Sequence, residues 1–331
     1  MEVFILMKTN TFEAQIGTSL ELACSFLYSN LPIGIPTETV YGLAANAYEP
    51  MAVARIFEIK NRPTFDPLIV HTYSIEALSE FTKAIHPKAM LLAERFWPGP
   101  LTLLLPKNHK IPDLVTSGLP NVGVRIPAHP VTLDLLRSLP FPLAAPSANP
   151  FGYISPTTAT HVKDQLSDKI PYILEGGKCT IGVESTIVGF DEYLKPTIFR
   201  LGGISIEEIE AVIGKVEIKP FSSSNPHAPG MLKSHYAPRT PFFIVQRQSF
   251  YFSDALNAVG TLCFREPFPN IPKAFQKVLS TKGCLKEAAH NLFCAMRELD
   301  SLGLEAIFCE LVPDVGLGKA INDRLKRAAA K

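Results

Sequence analysis

The stretch LPIGIPTETVYGLAANA, residues 31–47, places polar side chains between two apolar segments. Its first part, residues 31–35, suits a short buried strand and ends at a proline. Thr37, Glu38 and Thr39 follow directly, and the chain then becomes apolar again. In open α/β folds, ligands often lie beyond the ends of strands. Polar residues at strand ends are therefore candidates for a site.

Hydrophobic periodicity on both sides of this stretch predicts interleaved helices and strands. Helices are predicted over 20–30, 50–60, 87–96, 129–139 and 285–302, and the chain closes with a helix from residue 321. Strands are predicted over 31–35, 68–71, 101–105, 121–127, 142–145, 172–177, 184–190, 196–201, 241–246, 260–264 and 306–312.

Capping residues predict where two further helices begin. Ser155 is a plausible N-cap, with Pro156 at the first helical position. Ser205 and Glu208 form a capping box that opens a helix through Ile213.

The interleaving does not follow a strict βαβ order, which predicts an open α/β domain with a mixed, twisted sheet over residues 1–214. Residues 215–240 are rich in Ser, Pro and Gly and predict a linker or a functional loop. Residues 241–331 predict a second, small α/β domain. Two domains also agree with the length of 331 residues, which exceeds one typical core.

The composition indicates an ordinary globular protein, with 47% apolar and 19% charged residues. A net charge of +1 lacks the strongly basic character of a dedicated nucleic-acid binder. The six cysteines have no Cys-x-x-Cys spacing, so we expect free buried thiols in a reducing cytosol. The start, MEVFILMKTN, resembles neither a signal peptide nor an anchor, and no apolar run approaches the ~20 residues of a membrane span. A soluble cytoplasmic protein is expected.

Cations at the ends of predicted elements are the first candidates for chemistry. Lys60 and Arg62 follow a helix, where they either satisfy its dipole or bind a polyphosphate. His71 ends an apolar strand and is either structural or part of a site. In NVGVRIP the valines alternate on one face, so Gly123 and Arg125 share the other. Arg125 then suits a small carboxylate ligand, with a surface salt bridge as the alternative.

Hydroxyls and one more cation lie at other strand ends. PSAN, residues 146–149, puts a serine and an asparagine directly after a strand, where turn chemistry is the alternative. Ser185 and Thr186 must face opposite sides of their strand, so only one can face a pocket. Arg200 ends a strand beside two glycines.

Eight ordered motifs closely resemble the L-threonylcarbamoyladenylate synthase family. They are PTETVYGL, KNRPTFDPLIVH, WPGPLTLLL, VGVRIP, APSAN, GVESTIV, RLGG and PGMLKSHYAP, and the resemblance covers nearly the whole chain. It implies a YrdC-type catalytic domain followed by a small Rossmann-like domain. The implied reaction converts L-threonine, bicarbonate or CO2, and ATP with magnesium into threonylcarbamoyl-AMP and pyrophosphate. Separate partner proteins then use that product to modify an adenosine in tRNA.

The resemblance also implies which residues form the site. Those for threonine are Thr39, His71, Arg125, Ala145 and Ser185. Those for ATP are Lys60, Arg62, Asp66, Asn121, Ser147, Ser155, Arg200 and Tyr236. Lys60 and Arg62 are expected to stabilise charge, and the resemblance names no catalytic base. The family commonly has Asp-Asn where this chain has Phe65-Asp66, and a carboxylate near phosphates repels them unless a metal intervenes.

Two other functions compete with this interpretation. Relatives have been linked to double-stranded RNA, but near-neutral charge argues against an RNA-binding module, and the salt dependence of RNA retention would test it. The domain could also resemble the carbamoyl-transferring part of hydrogenase-maturation proteins, whose zinc-finger cysteine pairs this sequence lacks. Within the linker, Met231, Leu232, His235 and Tyr236 predict a lid that closes over a labile adenylate, with Gly230 as its hinge.

Overall fold

The structure is a computed structural model that describes residues 12–83, 85–191, 193–219, 228–229, 234–247 and 258–330. Its helices are α1 Leu20–Tyr28, α2 Pro50–Lys60, α3 Pro87–Phe96, α4 Asp113–Thr116, α5 Pro130–Arg137, α6 Ala159–Leu166, α7 Ile206–Ile213, α8 Leu285–Asp300 and α9 Leu317–Ala328.

The strands alternate with these helices along most of the chain. They are β1 Gln15–Gly17, β2 Ile33–Ile35, β3 Gly42–Asn46, β4 Ile69–His71, β5 Leu101–Pro106, β6 Asn121–Arg125, β7 Leu143–Ala144, β8 Tyr172–Leu174, β9 Thr186–Phe190, β10 Pro196–Arg200, β11 Glu217–Ile218, β12 Phe242–Ile244, β13 Val259–Cys263, β14 Gln276–Val278 and β15 Ala306–Cys309.

The strands up to β11 form one mixed sheet in the order β1-β8-β2-β3-β7-β4-β6-β5-β9-β10-β11. Its centre alternates between antiparallel pairs, such as β7 with β4, and parallel pairs, such as β4 with β6. The predicted mixed α/β sheet is therefore confirmed. Because the central strands run in both directions, the same edge of the sheet contains the first residues of some strands and the last residues of others.

The second sheet has the order β12-β15-β13-β14 and is parallel throughout, as the predicted small Rossmann-like domain requires. Helices α8 and α9 pack together on it. Their apolar cluster includes Leu292, Phe293 and Leu325, and it also takes in Val40 and Val183 from the first domain. The two sheets are thus joined by a shared apolar core.

Several predicted elements match the structure closely. Helices α2 and α3 have the predicted bounds, and the capping box at Ser205 opens α7. Both cases have strong local signals, a proline at the first turn or a reciprocal cap. The domain boundary at residue 214 stays a prediction, and β11 extends the large sheet just beyond it.

The predicted N-cap at Ser155 is wrong. Helix α6 begins at Ala159, and Thr158 caps it by accepting a hydrogen bond from the backbone N–H of His161. The Ser155 side chain is fully buried and donates to the Glu184 carboxylate at 2.6 Å. The Ser155 hydroxyl therefore bonds to Glu184, which is distant in the sequence, instead of capping the helix as the local sequence predicted.

Strand β3 was not predicted, because its sequence GLAAN is rich in residues with low strand propensity. It forms because β2 and β7 pair with it on both sides. The cysteines are free, and Cys179, Cys263 and Cys309 are buried as expected. Cys284 is exposed, however, so the expectation of uniformly buried thiols is wrong at that position.

Within the described residues, no helix combines the length and apolar character needed to cross a membrane. The predicted linker is described in part. Gly230, the predicted hinge, and Met231 and Leu232 of the predicted lid lie outside the described residues.

Candidate functional site

A cavity of about 580 Å³, including its open mouth, lies where the central strands of the large sheet begin and end. It is lined by Thr37, Thr39, Val40, Gly42, Arg62, Ile69, His71, Arg125, Ala145, Pro146, Ser147, Glu184, Ser185, Arg200, Pro229, His235 and Tyr236. The wall therefore combines hydroxyls, cations and a carboxylate from segments far apart in the sequence.

Arg125 reaches the cavity because of the alternation of β6. Val122 and Val124 of that strand point into the apolar core, which leaves Arg125 on the opposite face. Its Nη2 pairs with Oε1 of Glu38 at 2.7 Å, and its Nη1 donates to Oγ1 of Thr39 at 2.8 Å. The alternative of a surface salt bridge is wrong, because both partners of this ion pair are buried.

Ser185 and Arg200 form a second polar group on the same wall. Ser185 precedes β9, and Arg200 ends the neighbouring β10. Arg200 donates from Nη2 to the Ser185 hydroxyl at 2.9 Å and from Nε to the Ser185 carbonyl at 3.0 Å. Burial lowers the pKa of Arg200 to about 10, so the guanidinium still carries its charge at neutral pH.

Arg62 presents a guanidinium at another side of the cavity. It is held by Asp66 through an ion pair of 3.0 Å, and it donates to the carbonyls of Asp66 and Pro67. Asp66 is completely buried behind it and does not line the cavity. Arg62 and Arg125 are thus stabilised in the same way. A buried carboxylate, Asp66 or Glu38, pairs with each guanidinium and offsets the cost of burying its charge.

Lys60 lies behind the cavity wall and holds a loop that contributes to it. Its ammonium donates to the backbone carbonyls of Ser147 and Asn149, in the loop after β7. Burial is the main reason that the pKa of Lys60 falls well below its usual value, with the charge of Arg62 second. The lysine therefore fixes the loop that carries Ser147.

His71 is neutral in the folded protein. Burial, followed by the nearby charge of Arg125, lowers its pKa to about 3. Its Nδ1 lies 3.2 Å from the Ile69 carbonyl. A neutral imidazole adds no charge to a wall that already holds Arg62, Arg125 and Arg200.

The buried histidines predict acid sensitivity of the fold. The folded pKa values are about 3 for His71 and about 4 for His161, below the unfolded value of about 6.5. Between pH 6.5 and 4 the unfolded chain therefore binds more protons, and the free energy of unfolding should fall as pH is lowered through this window. Each such histidine adds at most roughly 1 kcal/mol per pH unit to this slope, reached where its imidazole is protonated in the unfolded chain and neutral in the folded one. Urea unfolding at pH 6.5, 5.5 and 4.5 measures this slope, and His161→Gln should flatten it. Equal free energies of unfolding at all three pH values would contradict the prediction.

The linker and the second domain also contribute to the cavity. His235 and Tyr236 line it, and Tyr236 is buried in a left-handed backbone conformation with φ of 62°. The Tyr236 ring stacks on Phe293 of α8 at 5.6 Å, and the guanidinium of Arg324 in α9 lies 5.0 Å from its centroid. The second domain thus supports the linker residues that face the cavity.

The cavity gathers most of the residues predicted from the sequence. All five predicted threonine contacts line it, and so do four of the predicted ATP contacts. The two sets are Thr39, His71, Arg125, Ala145 and Ser185, and Arg62, Ser147, Arg200 and Tyr236. Their roles toward ligands stay predictions.

Four predicted ATP contacts do not line the cavity. Lys60, Asp66 and Ser155 are buried behind the wall, bonded to Ser147, Arg62 and Glu184. Asn121 starts β6, while Arg125 ends it. Four residues of extended strand separate them by about 13 Å, and Asn121 is not among the residues that line the cavity. Its contact with ATP stays a prediction.

Sequence reasoning missed the role of Glu184. This carboxylate lines the cavity, accepts from Ser155 and pairs with Arg324 at 2.9 Å. Burial opposes its ionisation, but the charges of Arg324 and Arg200 outweigh burial and lower its pKa. Its position beside Ser185 was a readable signal, whereas nothing in the sequence links it to Arg324, 140 residues away. Thr37 was noticed but not assigned.

The chemistry of the donor set does not suit a resident metal ion. Among the residues that the structure describes, no cluster of three or more His, Cys, Asp or Glu side chains could hold one. Glu184 is already engaged by Ser155 and Arg324. The wall instead offers cations and hydroxyls, which match anionic oxygen atoms.

Two family models match successive parts of the chain. One, for Sua5, YciO and YrdC proteins and described as "Telomere recombination", matches residues 25–202. The other, described as "Threonylcarbamoyl-AMP synthase, C-terminal domain", matches residues 204–330. The first covers most of the large sheet, and the second covers α7, β11 and the small sheet.

Curated relatives match over nearly the whole chain. Threonylcarbamoyl-AMP synthase of Pyrococcus abyssi is 40% identical over 94% of this chain and 94% of its own length. The Bacillus subtilis enzyme of the same name is 41% identical over 93% and 92%. Among solved structures, P. abyssi Sua5 complexed with L-threonine has a TM-score of 0.87 at 39% identity and covers 94% of both chains.

Proposed function

The chain belongs to the Sua5, YciO and YrdC family, in its threonylcarbamoyl-AMP synthase branch, and we propose that the cavity is where it makes L-threonylcarbamoyladenylate. The enzyme is a nucleotidyltransferase that serves threonylcarbamoyladenosine modification of tRNA. The ammonium of L-threonine and bicarbonate first give the N-carboxylate of threonine, water and a proton. A carbamate oxygen then attacks the α-phosphorus of ATP, and pyrophosphate leaves.

The observation that carries the assignment to this cavity is the setting of Arg125. A buried guanidinium beside the hydroxyl of Thr39, at the cavity wall, suits the carboxylate of a small amino acid. Arg62 and Arg200 lie on the same cavity wall and suit the phosphates of a nucleotide. One cavity therefore offers separate anchors for an amino acid and for ATP.

The residues act mainly by positioning and by neutralising charge. The carbamate and the triphosphate are both anionic, so their approach requires fixed cations. Arg62, Arg125 and Arg200 supply these charges, each held by hydrogen bonds before any substrate arrives. Magnesium would be brought to the site as part of MgATP, where it would neutralise part of the triphosphate charge.

The product is passed to separate proteins that modify tRNA. An adenylate is labile in water, so the site must exclude solvent until the product is complete. Tyr236 lies at the wall and is supported by the second domain. We assign it to cover the nucleotide, in agreement with a linker that acts as a lid.

A direct test incubates the protein with ATP, magnesium, bicarbonate and radiolabelled L-threonine. The expected result is a labelled adenylate and one pyrophosphate for each molecule formed. Leaving out bicarbonate is the control and should remove the product. Pyrophosphate release without any labelled adenylate would overturn the proposed function.

Substrate choice gives a sharper prediction. Thr39 and Ser185 line the cavity and can pair with a substrate hydroxyl, whereas valine has nearly the same shape and none. A site built to bond a hydroxyl rejects analogues that lack it, because its polar groups then stay unpaired. Valine is expected to have a kcat/KM at least about 100-fold lower than threonine. Competition between labelled threonine and valine measures it, and equal turnover would show that hydroxyl recognition is absent.

A further inference from the structure

The hydroxyl of Thr39 has its hydrogen already committed. Thr37 Oγ1 lies 2.6 Å from the Val40 carbonyl oxygen, and since a carbonyl cannot donate, Thr37 donates. Thr39 Oγ1 lies 2.8 Å from Thr37 Oγ1, which also accepts from the backbone N–H groups of Thr39 and Val40 at 3.2 Å. Since the Thr37 hydrogen is already used, the hydrogen in the contact between the two hydroxyls comes from Thr39. Arg125 Nη1 donates to Thr39 at 2.8 Å. A hydroxyl has one hydrogen and two lone pairs, which leaves Thr39 one acceptor position for a ligand.

The hydroxyl of Ser185 has the opposite arrangement. Arg200 Nη2 donates to it at 2.9 Å, and the hydroxyl of Thr102 lies 2.7 Å away. Thr102 is fully buried, and within the described parts of the chain the Ser185 oxygen is the one hydrogen-bond partner of its hydroxyl. Leaving a buried hydroxyl hydrogen without an acceptor is costly, so Thr102 donates. Both lone pairs of Ser185 are then filled, and its own hydrogen remains free.

We propose that Thr102, which does not line the cavity, is a positioning residue that makes Ser185 a hydrogen-bond donor toward the substrate. This inference rests on the proposed function, since the substrate is threonine. Thr39 then accepts from a donor of the amino acid, its ammonium or hydroxyl. Ser185 donates to an acceptor, the carboxylate or the hydroxyl oxygen. The cavity therefore presents two similar side chains with opposite, fixed polarity.

The geometry of the strands explains why Thr102 holds this position. It lies on β5, which pairs in parallel with β9, and the register places it opposite Ile187, two residues after Ser185. Leu101 and Leu103 on the other face of β5 belong to the apolar core. The Thr102 side chain thus points to the side of the sheet that carries the cavity. It contacts Ser185, which lines the cavity, but does not line the cavity itself.

The test is a double-mutant cycle in the full chain, with L-threonine binding measured by calorimetry. Thr102→Val keeps the shape and removes the donor. It is expected to weaken threonine binding about 3- to 10-fold and to raise the KM for threonine while leaving the KM for ATP within twofold. In a Ser185→Ala background the same substitution should cause no further loss, because Thr102 acts through Ser185.

Two variants control for effects on packing. Thr102→Ser keeps the donor and should bind threonine within twofold of the wild type. Thr82→Val removes another buried threonine hydroxyl, which donates to the Leu78 carbonyl at 2.8 Å and does not line the cavity. This variant should leave threonine binding unchanged. If Thr102→Val does not fold, Thr102→Cys replaces it, with the same expected direction, because a thiol donates weakly.

The outcomes separate this inference from the proposed function. Wild-type protein that does not bind threonine overturns both. Wild-type binding with Thr102→Val within twofold of it overturns the positioning role alone. An equal loss in the Ser185→Ala background also overturns it, because the effect would then not pass through the serine.

Discussion

Replacing Arg125 with alanine is expected to weaken L-threonine binding about 100-fold or more while ATP binding changes little. The guanidinium is buried, and the proposed carboxylate contact is charge-assisted, so its loss should cost about 3 kcal/mol. Calorimetric titration of each ligand separately measures both affinities.

Arg62→Ala is the matched comparison, because it removes a second buried guanidinium from the same cavity. It should weaken ATP binding by a similar factor and leave threonine binding largely intact. If both variants lose the same ligand, the division of the cavity into an amino-acid part and a phosphate part is wrong.

Loss of folding must be separated from loss of binding in this experiment. Arg125→Ala removes the cation that pairs with the buried Glu38 carboxylate. Loss of one partner of a buried ion pair can lower the free energy of unfolding by about 3–5 kcal/mol. The double variant Glu38→Gln, Arg125→Ala removes that buried charge. It should recover most of the stability in urea unfolding and still fail to bind threonine. Recovery of threonine binding would show that Arg125 has only a structural role.

Arg324→Ala is expected to have the largest effect on stability, although Arg324 lies in the second domain. Its guanidinium is fully buried and pairs with Glu184 at 2.9 Å and with Asp323 at 2.7 Å. Burial lowers the pKa of Arg324, but the neighbouring Tyr236, Glu184 and Asp323 outweigh burial and raise it. Removing one member of a buried charged group leaves its partners uncompensated, so the expected loss is about 3–5 kcal/mol.

The same substitution should lower adenylate formation, because Arg324 also supports one face of Tyr236. If the linker acts as a lid, protease cleavage within residues 215–240 should fall when ATP and threonine are bound together. Arg324→Ala should weaken that protection. Timed proteolysis with and without both ligands, together with urea unfolding, measures these effects.

Lys319→Ala is the control on the same helix. Lys319 also forms an ion pair between the domains, with Glu207 at 3.0 Å, but both side chains are at least partly exposed. An exposed pair contributes about 0–1 kcal/mol, so this variant should stay close to the wild type. If Arg324→Ala and Lys319→Ala lose equally little stability and activity, the buried charges do not couple the domains to the site.

The sequence by itself determined the elements whose signals are local. The N-terminal prolines of α2 and α3, the capping box of α7 and the alternation of β6 depend on residues a few positions apart. The alternation of β6 also placed Arg125 correctly, because a side chain opposite buried valines must face away from their core. Ordered motifs then allowed the family to be identified, although no single motif was specific.

Only the tertiary structure decided how these groups are paired. Thr39 and Arg125 are 86 residues apart, and Thr102 and Ser185 are 83 apart. Glu184 meets Arg324 across 140 residues. Local sequence predicted Ser155 to be a helix cap, yet its hydroxyl bonds to Glu184 instead. Hydrogen bonds inside a buried wall form between whichever donors and acceptors the sheet order brings together, and no sequence spacing encodes that order.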